Sequence, residues 1–268
     1  MAMQQSYNLN ADRFTGIAQI YDTARPAMPD YVPDVIERYL GSRPDTVVDL
    51  GCGTGLSILA WLGHCTRVIG IDASEDMLAF ARRRESEQVR FIKAFSHDTG
   101  LDAGSVDAVV CSQSFHWMNP ADTLAEVNRV LKPGGIFATV DNDWPPVCGV
   151  AAELAYQELT QRVLELEQTH PAVKDTFVRF GKDEHLNNIK KSGYFRYVRE
   201  LVFANSEQCD AARMVGLVMS QGGLQTVLKH APEEILVQLE KYKEVVKSTF
   251  KHTTFSIDFC YRMRIGVK

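Results

Sequence analysis

Thr46-Val47-Val48-Asp49-Leu50-Gly51-Cys52-Gly53-Thr54-Gly55 constrains this chain more than any other stretch. A β-branched, apolar run reads as a buried strand. It ends in glycines at 51, 53 and 55, and a helix-like stretch, Leu56 to Leu62, follows. Glycine permits backbone angles that a Cβ forbids and lets a ligand lie against the main chain. A helix start behind such a loop would aim free N–H groups at it. The pattern predicts a nucleotide-sized slot at the carboxyl end of a strand, where open α/β sheets bind ligands. A tight strand–helix turn without a ligand is the plainer alternative.

Spacing separates two ligand classes. The dinucleotide fingerprint wants G-x-G-x-x-G, and Leu56 stands where its last glycine would fall. Asp49 precedes the loop, and a pyrophosphate would not favour that carboxylate. S-adenosylmethionine, with an ammonium, a sulfonium and no phosphate, would. The stretch from Val48 to Gly55 resembles motif I of class I S-adenosylmethionine-dependent methyltransferases. The resemblance continues in Gly70-Ile71-Asp72-Ala73-Ser74-Glu75-Asp76-Met77-Leu78 and in Arg129-Val130-Leu131-Lys132-Pro133-Gly134-Gly135. Tyr21-Asp22-Thr23-Ala24-Arg25-Pro26 and Ser114-Phe115-His116-Trp117 are similar to the methyltransferase type 11 branch that includes trans-aconitate methyltransferases. The likeness spans roughly residues 14 to 140. It is specific for the cofactor and weak for the acceptor.

The fold expected is α/β: a doubly wound, seven-stranded Rossmann-like sheet with its last strand antiparallel. N-terminal helices would precede it, and a helical lid would be inserted after strand 5. The expected domains are 1-45, cofactor-covering helices; 46-140, 193-203 and 253-268, the core; and 141-192 and 204-252, the lid. Strands are expected at Arg67 to Ile71, Val89 to Phe95, Val106 to Cys111, Ile136 to Val140 and Phe195 to Phe203. The last strand shows strict period two from Phe255 to Ile265. Helices are expected at Phe14 to Tyr21, Asp30 to Leu40, near 149–168, 182–191, 207–219, 224–230 and 232–249. Residues 1 to 10 are expected to be loosely packed. Asp141 to Pro146 reads as a loop facing the ligand. Glu126 and Arg129 read as a surface pair, and Asp107 as a polar residue at the edge of its strand.

The resemblance implies the site residues. Tyr21 would cover the cofactor and Arg25 would pair with its carboxylate. Asp49, Gly51, Cys52, Gly53 and Gly55 would form the loop. Asp72 can accept both ribose hydroxyls, with Ala73 and Met77 beside the adenine. Ser96 and His97 are candidates on the cofactor side, where His97 or Asp98 could hold the adenine amino group, and Ser112 and Gln113 are candidates for the sulfonium side. His116, Trp117 and Trp144 would face the acceptor, with His116 a base or an anchor for an acidic acceptor. Each has a plainer reading: core packing for Tyr21, Met77 and Trp117, an ion pair for Arg25, a helix cap for Asp72, a loop histidine for His97. Ser220 to Leu224 is either a substrate contact or a helix break.

The net charge of −5 does not favour nucleic acid as partner. The six cysteines are scattered without a C-x-x-C pair, so reduced thiols in a cytoplasmic protein are expected, and no metal site. No secretory signal or membrane-length apolar run is visible. The reaction expected is in-line methyl transfer to a small-molecule acceptor, carboxylate metabolites among the candidates. A non-catalytic cofactor-binding protein and a nicotinamide-dependent oxidoreductase stand as alternatives.

Overall fold

The computed structural model describes Asn10 and residues 16–268. Its seven strands are β1 (Thr46–Leu50), β2 (Arg67–Asp72), β3 (Val89–Lys93), β4 (Val106–Ser112), β5 (Leu131–Val147), β6 (Tyr197–Cys209) and β7 (Phe255–Val267), in the sheet order β3-β2-β1-β4-β5-β7-β6. Neighbours from β3 through to β5 are parallel. The end of β7 bonds back to the start of β5, Lys268 N–H to Gly135 O at 3.0 Å, so β7 runs antiparallel. Strand order reverses between β1 and β4, the point where doubly wound sheets bind ligands. Val47, Val48 and Leu50 are buried, as a parallel strand covered on both faces must be.

The chain divides into two units. One comprises residues 27–142, 179–203 and 261–268. Here α2 (Tyr31–Leu40) stops at Gly41, which takes φ +76°. A cap of this kind satisfies the last carbonyls at no Cβ cost. Ser74 caps α3 (Glu75–Ala81), and Asn119 caps α4 (Pro120–Val130), whose first residue is proline. The last helix of this unit is α6 (His185–Lys191). Of the described residues, the other unit comprises Asn10, 16–26, 143–178 and 204–260. Its described helices are α1 (Ala18–Ala24), α5 (Val150–Thr169), α7 (Ala211–Met219), α8 (Gly222–His230) and α9 (Leu236–Phe250). Gly216 lets α7 approach α1 closely: a Cβ there would stand 2.8 Å from the Ala24 Cβ.

Several expectations are corrected. Leu56 to Leu62 forms no α-helix but a five-residue 3-10 turn, Ser57–Trp61, which Gly63 at φ +90° follows. Asp141 to Pro146 is not a loop; it continues β5 to Val147 beside the thirteen-residue β7. Strand 6 runs six residues further than expected, to Cys209, and the helix behind it starts only at Ala211, where Asp210 accepts the Arg213 N–H. Glu126 is not at the surface. It is buried and accepts the Thr99 N–H at 2.9 Å and two donors of Arg129. Asp107 does lie at the edge of its strand, second in β4, where it accepts the Asp45 and Thr46 N–H groups and Lys132 Nζ. The expected start of the first helix, Phe14, lies outside the described residues, as do residues 1 to 9.

Candidate active site

The glycine loop carries positive φ at all three glycines, but they serve different ends. A Cβ on Gly51 would meet the Ser114 Cβ at 2.5 Å and Met118 Cε at 2.7 Å, so Gly51 is absent of side chain for packing. Gly53, at φ +55°, has no atom within 4 Å of that position: the loop is open there. Two side chains fix its path. Asp72 accepts the Gly53 N–H on Oδ2 and the Ser74 N–H on Oδ1, both at 2.8 Å. Arg84 Nη1 donates to the Thr54 carbonyl at 3.0 Å.

Beneath the loop Asp49 is buried on the central strand. Ser57 donates to its Oδ2, and Oδ1 has no hydrogen-bond partner among the described residues. Burial pushes the Asp49 carboxyl up to about 7; the Ser57 bond opposes that, and the charge of Asp72 adds to it. Burial likewise raises Asp72, against its backbone hydrogen bonds. Two carboxyls whose ionisation is resisted make the slot welcoming to a cation and hostile to phosphate. The 3-10 turn behind the loop also lacks the aligned peptide dipoles with which an α-helix holds phosphate.

The remaining cofactor-side expectations fall as follows. Cys52 is buried and its thiol is held well above the usual range, chiefly by burial. Ala73 lies half-buried between Asp72 and the Ser74 cap, and Met77 is buried in the first turn of α3. Ser96 is buried and shares a 2.9 Å hydrogen bond with the Thr123 hydroxyl. His97 stacks on Phe95 with ring centroids 5.6 Å apart. Ser112 ends β4. Gln113 follows at φ +55°, an unusual angle for a side-chain-bearing residue.

Gln113 opens a polar network of which sequence reasoning named only Gln113 and His116. Its amide donates to Asn142 Oδ1 at 2.6 Å and accepts from Lys182 Nζ at 2.9 Å. The hub is Asp141, buried near the middle of β5. Its Oδ2 takes Arg264 Nη1 at 2.9 Å and His185 Nδ1 at 3.0 Å. Its Oδ1 lies 3.2 Å from Lys182 Nζ and 3.8 Å from His116 Nδ1. Arg264 is held from its far side by Glu200 at 2.8 Å. Burial alone would raise the Asp141 carboxyl; Lys182, the His185 hydrogen bond and His116 overcome it and hold the carboxyl well below the usual range. Burial, then Lys182, push His116 well below the ordinary imidazole value, so its ring is neutral at pH 7. Trp117 packs against His116 with ring centroids 4.7 Å apart.

Asp141, Lys182, His185 and Arg264 escaped the sequence reading. No local signal marks them: Arg264 occupies one of the polar alternate positions of β7, as Arg262 does, yet it is buried.

Tyr21, Arg25 and Trp144 belong to the other unit and assemble there. The Arg25 guanidinium lies 5.1 Å from the Tyr21 ring centroid and 5.0 Å from that of Trp144. Its Nε donates to Ser220 Oγ at 2.7 Å. Trp144, on β5 rather than in a loop, stacks on Tyr156, and Gln221 donates to the Tyr156 hydroxyl. Ser220 and Gln221 thus have structural partners within this unit.

Comparison with known families falls on the same segment. Residues 48–139 match the family model described as a methyltransferase domain. This stretch of the chain is a methyltransferase domain. It includes the glycine loop, Asp72, Gln113 and His116. An uncharacterized methyltransferase of Mycobacterium tuberculosis is 34% identical over 134 residues, 50% of this chain and 54% of the relative. A probable S-adenosylmethionine-dependent methyltransferase of Saccharomyces cerevisiae is 34% identical over 125 residues, 44% of this chain and 43% of the relative. The chain therefore spans about half the length of the curated relatives it matches. A solved structure from Anaeromyxobacter dehalogenans, provisionally assigned as a type II methyltransferase, superposes with a TM-score of 0.67. It covers 91% of this chain and 97% of the other at 18% identity, a likeness of fold. S-adenosylmethionine, a methyl donor that brings its own chemistry to such domains, fits the residues present. Its positive charge would be offset by Asp49 and Asp72, and the open face at Gly53 would leave room for close approach.

Among the described residues no helix is long and apolar enough to cross a membrane.

Proposed function

We propose that this chain is an S-adenosylmethionine-dependent methyltransferase acting on a small-molecule acceptor. The observation that carries the reading is the acidic, phosphate-averse glycine loop within a methyltransferase domain. The loop around Gly53 would hold the cofactor, with Asp49 offsetting its positive charge and Asp72 accepting hydroxyl protons. When bound, the cofactor supplies a methyl group on a cationic sulfur. The chain's own part is to align an acceptor with that methyl, a contribution worth roughly 7–11 kcal/mol when geometry is good. His116, neutral and backed by Asp141, is the residue we assign to the acceptor. The resemblance to the trans-aconitate branch brings metabolites that carry carboxylates into the acceptor screen. Hydroxyl and amine acceptors are screened alongside them, because a neutral imidazole can take their proton.

The test has two stages. Thermal unfolding with S-adenosylmethionine, S-adenosylhomocysteine and NAD should show stabilisation by the first two only, about 2.7 kcal/mol at a hundredfold excess over Kd. Labelled methyl transfer is then screened over small-molecule pools, protein and nucleic acid. Stabilisation by NAD alone, or transfer only to macromolecules, would refute the proposal.

A further inference from the structure

Both oxygens of Asp141 are in demand, and the demand is uneven. Oδ2 is fully committed to Arg264 Nη1 and His185 Nδ1, at 2.9 and 3.0 Å. A carboxylate only accepts, so His185 carries a proton on that nitrogen. Oδ1 has two claimants: Lys182 Nζ at 3.2 Å and His116 Nδ1 at 3.8 Å. Only the lysine is within ordinary hydrogen-bonding distance. His116 Nδ1 is buried and has no hydrogen-bond partner among the described residues. Lys182 is further secured by Gln113 Oε1 at 2.9 Å, and its side chain is one-third exposed while the histidine's is buried.

We propose that Lys182 is a positioning residue: by occupying Asp141 Oδ1 it keeps His116 unprotonated at rest, and the same oxygen receives the His116 Nδ1–H once the ring accepts a proton from the acceptor at Nε2. The proton leaves the acceptor's O–H or N–H and arrives on His116 Nε2. The electron pair left behind forms the new bond to the methyl carbon, while the carbon–sulfur bond breaks and its pair stays on the sulfur, which departs as a neutral thioether. The imidazolium formed is then balanced by Asp141. The inference rests on the methyl-transfer reading above and deepens it, since a carboxylate acceptor would have no proton to give. It assigns the methylated atom to a hydroxyl or amine of the small acceptor.

The other charged groups around His116 leave Lys182 as the lever. Asp141 comes from β5, His185 from α6, Lys182 from the turn before α6, and Arg179 from the chain just ahead of it; all four act on the His116 charge. Arg264 on β7 and Glu200 on β6 anchor Asp141 from behind. Lys182 is the cation that shares the histidine's oxygen. Removing it should free Oδ1 for an imidazolium.

The experiment follows His116 itself, in the full chain and without an acceptor. Histidine side chains are ¹⁵N-labelled, the His116 ring is assigned by its loss in His116→Gln, and ring nitrogen shifts are read against pH. In wild type the ring should remain neutral across pH 6–8. In Lys182→Met its half-protonation point should rise by at least one pH unit, a tenfold change in proton affinity. Lys182→Arg should restore the wild-type titration, and Asp141→Asn added to Lys182→Met should abolish the rise. Lys182 is partly exposed, so Lys182→Met should fold even if the Asp141 variant does not. A His116 titration that does not move in Lys182→Met would overturn the inference and leave cofactor binding untouched. Failure of S-adenosylmethionine to stabilise wild type would instead overturn the reading on which the catalytic part rests, and would be seen in a separate assay.

Discussion

Asp49→Asn should make the ligand-free protein more stable above neutrality and weaken its grip on S-adenosylmethionine. The physical reason is the cost of a buried charge. The carboxyl is raised from an ordinary 3.8 to about 7, with burial the main cause and Asp72 adding to it. A raised carboxyl means the folded state holds its proton more tightly than the unfolded chain. Between pH 3.8 and about 7 the native state binds more protons, so its stability falls as pH rises through that window. Integrated over the shift, the loss is about 4 kcal/mol at most. Asparagine keeps the shape, can still accept from Ser57, and carries no charge. The two proteins should be similar in stability near pH 4 and diverge to a difference of about 4 kcal/mol or less by pH 8, in favour of the variant. Urea unfolding of both proteins from pH 4.5 to 8.5 measures this directly. A bound cation should reverse the order, because it offsets the charge that asparagine lacks. Saturating S-adenosylmethionine should stabilise wild type more than the variant. A stability difference independent of pH would refute the buried-charge argument. Equal stabilisation by S-adenosylmethionine would refute the assignment of Asp49 to the cation.

Three further outcomes are expected. Gly51→Ala should cost about 2–4 kcal/mol in chemical unfolding, from overpacking against Ser114 and Met118 plus backbone strain, whereas Gly53→Ala should cost only about 1–2 kcal/mol, from strain alone; equal losses would refute the different roles given to the two glycines. Arg264→Met should destabilise by about 3–5 kcal/mol in urea, because it leaves Asp141 and Glu200 short of their buried cation. Glu126 is lowered to about 2, burial being outweighed by Arg129 and Thr99. Its contribution is present above pH 4.5 and lost as pH falls toward 2, so the advantage of wild type over Glu126→Gln should shrink through that window in acid unfolding.

The parts of the fold legible in sequence were those where one local rule sufficed. The β-branched run into Gly51, the caps at Ser74 and Asn119, the glycine stop at Gly41 and the alternation of β7 each rest on chemistry within a few residues. The errors came where a neighbouring strand overrode local signals. Asp141-Asn142-Asp143 and the two prolines at 145 and 146 are turn formers, yet the chain there remains extended beside β7. Arg262 and Arg264 read alike as the polar positions of one strand. Arg264 is buried and Arg262 is not, because only the former reaches Asp141 while both meet Glu200.

The same distinction explains why His116 was found and its supports were not. His116 sits in a short motif next to a strand end, whereas Asp141, Lys182, His185 and Arg264 are brought to it by three separate stretches of chain. None of the four carries a local signature: singly they are a turn aspartate, a basic residue before a helix, a helix-start histidine and a strand arginine. Their meaning lies in the sharing of one carboxylate, and Asp141 tolerates burial only because Lys182 and Arg264 bring two cations to it. A buried charge that costs several kcal/mol when unpaired is kept where it acts on another group, and here that group is the His116 ring, whose Nδ1 has no hydrogen-bond partner among the described residues. That places the chemistry of the site in the hub as much as in the histidine, and it makes Lys182, the partly exposed member of the four, the residue through which that chemistry can be adjusted without disturbing the core.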